Sequence, residues 1–199
     1  MGKYPPTAIT PKEIHFLQAL AVGQDVLEIG SLLGHSTIRM AEVANHVVSV
    51  DPHDGYPRDN PKPTLTDFLA NLNAHGVREK VTVCVGNHNE VLPWLREKHF
   101  KVVFIDVTEE KDLTLEIMRE CVPLMRHYSA LCVHDCGHPK WPGALEAVKE
   151  FGRKFILVDS LAVITGTWGH DDHIKARESH PAHSRAGMRF IRPSYEEGS

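Results

Sequence analysis

Five short stretches bring chemically useful side chains to the ends of apolar runs. "EIGSLLGHST" offers an acid, Glu28, two glycines, Gly30 and Gly34, and hydroxyls on Ser31, Ser36 and Thr37. "VVSVDP" ends on Asp51, "VGNHNE" carries Asn87 and His88, and "VVFIDV" and "ALCVHDC" deliver Asp106, His134 and Asp135. Carboxylates so placed hold hydroxyls, ammonium groups or hard cations, and an imidazole beside them is a candidate general base near neutral pH. His134 has a plainer reading too, as a half-buried strand-end residue bonded to its loop; His138 is a second candidate base. A zinc site from Cys132, His134, Cys136 and His138 is disfavoured, because alternate residues of one strand cannot wrap a tetrahedral ion. With no C-x-x-C pair, the four cysteines read as buried free thiols.

The elements that must position these residues alternate along the chain. "PKEIHFLQALA" has helical spacing, with Thr10 as N-cap, Pro11 at the first helical position and Gly23 as stop. A strand "DVLEIG", a helix "HSTIRMAEVA" and a strand "HVVSVD" follow. The segment 52–63 holds four prolines and reads as a loop over the site. Then come a helix at "TLTDFLANLNAHG", the strand "KVTVCVG", a short helix at "NEVLPWLREK", the strand "KVVFIDV", a helix from Glu110 to about Arg126, the strand "ALCVHD" and a helix "GALEAVKEFG". In "KFILVDSLAVITGTW" two strand-like runs meet at Asp159-Ser160 with no helix between them, so the second must run antiparallel. The expectation is one α/β domain over residues 1–169, with a seven-stranded, mostly parallel sheet covered by helices on both faces. Residues 170–199 read as a polar, His-rich tail in which only "MRFIRP" could add an edge strand or reach a second subunit of a homodimer. Its histidines 170, 173, 180 and 183 with Asp171 and Asp172 resemble a metal tract by composition alone. Trp141, in the loop after the fifth strand, is a candidate wall of a substrate pocket.

In such a sheet a ligand sits outside the carboxyl ends of the strands. A dinucleotide turn needs glycines at its first, third and sixth positions, whereas the turn here has Gly30, Leu32 and His35; no Gly-Lys-Ser/Thr follows either. A phosphate cradle is therefore disfavoured. An adenosine with a charged amino-acid arm fits better, its ribose on Asp51 and its carboxylate at the start of the second helix, which points to S-adenosylmethionine. The 199 residues carry 42% apolar and 24% charged side chains and a net charge of −4, enough for one buried core and without the basic excess expected of a nucleic-acid binder. No apolar run spans a membrane and no leader is visible, so a cytoplasmic enzyme acting on a small-molecule acceptor is expected, without nucleic acid or membrane as partner.

"VLEIGSLLGHST", "VVSVDP", "VTVCVGNHNEVLPWL", "VVFIDV" and "ALCVHDCGHPKWPGALEAVKEF" together resemble the class I S-adenosylmethionine-dependent methyltransferases. The resemblance narrows to the small O-methyltransferases related to catechol, caffeoyl-CoA and macrocin O-methyltransferases. It implies a Rossmann-like sheet of order 3-2-1-4-5-7-6 with strand 7 antiparallel. It further implies that Glu28, Gly30 and Ser31 line the methionine arm, with Gly34 and Ser36 completing the turn, that Asp51 holds the ribose, and that Asn87 and His88 border the adenine. Metal-dependent relatives implicate Asp106 and Asp135 in holding Mg2+, with Glu109 as third oxygen. Here Asp106 is followed by Val107-Thr108-Glu109, where relatives commonly place Gly-Asp-His or Ala-Asp-Lys. The reading is methyl transfer to an oxygen, with Asp106, His134 and Asp135 as catalytic candidates. A protein with non-methyl chemistry on the same cofactor, and a binding subunit without turnover, are the alternatives.

Overall fold

The first helix, α1 (Pro11–Ala21), begins in a capping box. The Thr10 side chain accepts from the Glu13 backbone N–H while the Glu13 carboxylate accepts from Thr10 N–H. Its buried stripe, Ile14, Leu17 and Ala21, is what the helical spacing requires. Beyond it the computed structural model, which describes residues 3–55, 62–95, 100–137, 139, 142–168 and 189–191, alternates strands and helices. They are β1 (Asp25–Ile29), α2 (His35–Ala41), β2 (His46–Asp51), α3 (Leu65–Ala74), β3 (Val81–Val85), α4 (His88–Val91), β4 (Phe100–Ile105), α5 (Lys111–Cys121), β5 (Met125–Val133), α6 (Gly143–Glu150), β6 (Ile156–Val158), β7 (Leu161–Gly166) and β8 (Arg189–Ile191).

The sheet order is β6-β7-β5-β4-β1-β2-β3-β8. Its first seven strands run 3-2-1-4-5-7-6, with β7 antiparallel to both β5 and β6. β8 is an addition, antiparallel to β3 with Cys84 opposite Phe190, so the polar tail returns to the sheet at "RFI". The β6–β7 connection is the expected reversal, Asp159 taking φ 54 between Val158 and Leu161. The fifth helix is shorter than expected. It ends at Cys121, because Pro123 lacks an N–H, and a 3-10 turn at Val122–Leu124 leads straight into β5.

Two apolar layers sandwich the sheet. One joins Leu27, Ile29, Val103, Ile105, Leu131 and Val133 to α4, α5 and α6; the other joins Val26, Val47, Val83, Val102, Phe104 and Cys132 to α1, α2 and α3. Fully burying each such Val, Leu or Ile contributes about 1.5–3 kcal/mol relative to leaving it exposed. The alternation also sorts the polar strand residues. Glu28 follows Val26 onto the side of α1–α3, and Asp106 and His134, two residues beyond Phe104 and Cys132, lie at the end of that same side. β1 pairs with both β2 and β4, so the strand order reverses there and opens a crevice at the carboxyl edge. Among the described residues no helix is long and apolar enough to cross a membrane.

Candidate active site

The turn after β1 is tight because three of its five residues are left-handed: Gly30 at φ 87, Leu32 at φ 47 and Gly34 at φ 89. A Cβ on Gly30 would stand 2.1 Å from the Asp106 carbonyl oxygen, and one on Gly34 would meet Phe68 at 2.9 Å. Only glycine lets the turn lie against β4 and α3. Asp51 then fixes the turn from β2. Its Oδ2 accepts from Ser31 N–H at 2.7 Å and Leu32 N–H at 2.9 Å, and its Oδ1 from His53 N–H at 2.7 Å. Two oxygens with about four acceptor positions have used three.

Glu28 is wholly buried, and its two oxygens accept from the hydroxyls of Ser36 and Thr37. Burial pushes its carboxyl up to about 8; those two hydroxyls oppose the shift, and the charges of Asp106 and Asp51 add to it. Glu28 thus ties β1 to the first turn of α2, and no part of it is open to solvent. Asn87 is exposed and caps α4, whereas the His88 Nδ1 lies 2.6 Å from Glu120.

Three polar atoms mark the same edge. Of five buried side-chain polar atoms without a hydrogen-bond partner among the described residues, three lie here, Ser31 Oγ beyond β1, His53 Nε2 beyond β2 and Asn89 Oδ1 in α4 after β3; the other two are Ser49 Oγ and His75 Nδ1. An unpaired buried polar atom costs about 1–3 kcal/mol, so three along one sheet edge call for a ligand. Ser31 was singled out from the turn; Asn89 had no signal except its place one helical position after His88. His53 sits at φ 53 with Nδ1 on Thr64, and its burial, partly countered by Asp51, lowers its pKa.

Across the crevice, β4 and β5 end in the second cluster. Asp106, His134 and Asp135 each offer a ligand atom, all within 4.8 Å of one another. The His134 Nδ1 lies 3.2 Å from Asp106 and 3.4 Å from Asp135. Its Nε2 faces Glu13 at 3.4 Å, a contact from 121 residues away that no local pattern announces. Burial alone would suppress the imidazolium, but the hydrogen bonds and charges of Asp106 and Asp135 outweigh it and push the pKa up to about 11. Without an ion between the two aspartates the ring therefore favours its protonated form rather than the near-neutral base expected, and a cation at Nδ1 would have to displace that proton. The set closes with His134, and Glu109 is not part of it. All four cysteines are free and buried, and burial raises their pKa values. His138, Trp141 and the tail histidines with Asp171 and Asp172 lie outside the described residues.

A glycine turn beside β1, an acid closing β2 and a polar cluster on β4–β5 at a topological switch point match a known family. Residues 27–136 fit the model of a methyltransferase domain, more than half of the chain. The chain belongs to that family. Among curated proteins this methyltransferase-domain chain is 24% identical to bovine (Bos taurus) catechol O-methyltransferase over 131 residues, covering 62% of its own length and 45% of that protein. It thus spans less than half the length of that relative. Among solved structures it is similar in fold to an O-methyltransferase from Streptomyces achromogenes in complex with SAM (TM-score 0.62, 20% identity, 81% and 82% of the two chains). An O-methyltransferase from Bacillus cereus in complex with SAH matches similarly, with TM-score 0.62, 17% identity and 82% and 84% coverage. The matched segment of the methyltransferase domain begins at Leu27 and ends at Cys136, so it contains every site residue argued above except Glu13.

Proposed function

We propose that this methyltransferase domain moves the methyl group of S-adenosylmethionine to an oxygen of a small polar acceptor. The observation that carries the cofactor is the row of unpartnered buried atoms, Ser31 Oγ, His53 Nε2 and Asn89 Oδ1, along the edge where Gly30 permits close approach. A cofactor with an amino-acid arm, a ribose and a base offers complementary groups to such a row, and Asp51 retains one acceptor position for a ribose hydroxyl. The catechol O-methyltransferase relative supports oxygen as the acceptor atom.

The Gly30 α-carbon packs against the Asp106 carbonyl, so the cofactor turn and the Asp106–His134–Asp135 cluster meet at the sheet edge. Methyl transfer here is mainly alignment. The carbon–sulfur bond breaks as the acceptor oxygen bonds to the methyl carbon, and the hydroxyl proton leaves to the carboxylate edge or to water. Asp106 and Asp135, each about a third exposed, are the oxygens within reach of an acceptor. The cluster also fits a divalent cation: Asp106, Asp135 and the Nδ1 of His134 would hold it. When bound, such an ion supplies Lewis acidity that eases loss of the acceptor proton. The expected Mg2+ set was all oxygen, and one donor here is nitrogen.

The test is incubation with S-adenosylmethionine and a panel of hydroxylated small molecules, reading S-adenosylhomocysteine and the mass gain of one methylene on the acceptor. Formation of both in equal amounts is expected. Binding of the cofactor with no methylated product from any hydroxylated acceptor would overturn the assignment.

A further inference from the structure

We propose that Glu13 of the N-terminal helix is a positioning residue of the cation site, holding the His134 ring so that Nδ1 faces both aspartates and the site favours a first-row transition dication over magnesium. This rests on the reading of Asp106, His134 and Asp135 as cation ligands and adds to it the ion's class and the group that selects it.

Glu13 lies outside the matched family segment, yet its side chain is fully buried against that cluster. A buried carboxylate needs partners, and those of Glu13 fix its aim. Oε1 accepts from the Ser160 backbone N–H and from Ser160 Oγ, both at 2.7 Å, and Oε2 accepts from Thr10 N–H at 2.7 Å. Oε2 is thereby placed 3.4 Å from His134 Nε2. The platform is tied down twice, because Asp159 of the same β6–β7 turn accepts from Thr10 Oγ1 at 2.8 Å and Lys12 Nζ at 2.9 Å.

The two ring nitrogens then have different duties. Nε2 lies 3.4 Å from Glu13 Oε2 and equally 3.4 Å from the hydroxyl of Ser160, which Glu13 itself holds, and Nδ1 is directed at the space shared by Asp106 and Asp135. A carboxylate behind a ligating imidazole fixes the tautomer and raises the basicity of the other nitrogen. Magnesium prefers oxygen donors in a near-ideal octahedron and keeps much of its water, whereas imidazole suits the later first-row metals. Two carboxylates, one oriented imidazole and an outer carboxylate therefore suit an ion such as Co2+ better than Mg2+.

The full chain saturated with S-adenosylhomocysteine is titrated with Co2+ and with Mg2+, reading heat and the visible absorption of cobalt. Co2+ is expected to bind at least about tenfold more tightly than Mg2+. Glu13→Gln keeps size but removes the negative charge behind Nε2, and should weaken Co2+ by about 10–100-fold while S-adenosylhomocysteine affinity stays within about twofold. His134→Asp converts the donors to oxygen, should reverse the preference toward Mg2+, and should make Glu13→Gln silent toward Co2+ in the double variant. Co2+ affinity unchanged in Glu13→Gln, or an unchanged Co2+/Mg2+ ratio in His134→Asp, overturns the proposal while the cation reading stands. If Glu13→Gln loses its cooperative melt, the ratio in His134→Asp decides alone. If neither ion binds although S-adenosylhomocysteine does, the cation reading falls together with the proposal, and the product assay still judges methyl transfer.

Discussion

The two walls of the crevice use carboxylates in opposite ways. On the β1–β2 wall the acids face inward: Asp51 accepts three backbone N–H groups and Glu28 is sealed under two hydroxyls. On the β4–β5 wall Asp106 and Asp135 converge on one imidazole and stay partly open to solvent. The first arrangement builds a rigid turn whose unpaired atoms await a ligand; the second gathers negative charge that only a positive group can settle. An acid at a strand end is thus either scaffold or reagent, and its partners decide which.

The sharpest way to break that contrast is to damage the scaffold. Gly30→Ala would drive a Cβ to 2.1 Å from the Asp106 carbonyl at φ 87, so the turn must leave β4. We expect a loss upwards of about 3 kcal/mol in stability, by thermal or urea melts, together with loss of S-adenosylhomocysteine binding. A variant that kept both would show the turn to be pliable.

The reagent side should behave differently. Asp106→Asn and Asp135→Asn keep size and remove charge where an acceptor can reach. Each should lower turnover at least about a hundredfold, near 2.7 kcal/mol, with cofactor affinity little changed. Normal turnover in both would move the chemistry elsewhere on the edge, with His53 next in line.

Much of this division could be read in advance, for physical reasons that differ along the chain. The alternation of strands and helices and the antiparallel β7 follow from hydrophobic periodicity and from the missing helix at Asp159-Ser160, both local signals, whereas the strand order rested on the family resemblance alone. Gly30 and Asp51 were legible because turns and strand ends have strong chemical preferences. The end of α5 was misjudged by reading the apolar stripe through Pro123, where the missing N–H stops the helix. What stayed hidden is long-range. The capping box "TPKE" accounts for Glu13 locally, and nothing in it tells that the same carboxylate meets His134. The shift of His134 away from neutrality needs three-dimensional neighbours on both ring edges. β8 was visible only as an apolar "MRFI" in a polar tail, without its partner β3.

Asp51→Ala probes how scaffold and ligand contact combine in one residue. Removing it leaves three backbone donors without their acceptor and takes away a ribose partner. The expected loss is about 2 kcal/mol, appearing both in melting and in cofactor affinity by calorimetry. If affinity alone fell, the turn would hold its shape without the acid, and Asp51 would belong with the reagents.

A last test separates the two walls by pH. Glu28 has a folded pKa of about 8 against an ordinary 4.5, with burial as the main cause, so the native state favours its protonated form. Its stabilising proton is fully in place below about pH 4.5, and the contribution is lost as pH rises toward and through 8, with a slope on the order of 1 kcal/mol per unit between those limits. Glu28→Gln is neutral at every pH and keeps an oxygen for a Ser36 or Thr37 hydroxyl. The decisive quantity is the difference between the parent and Glu28→Gln stability curves from pH 5 to 8: it should tilt steadily in favour of Gln as pH rises, while turnover per folded molecule stays the same. A flat difference would mean that Glu28 is already ionised in the fold, and the β1 acid would then have to be counted, with Asp106 and Asp135, among the charges facing the crevice.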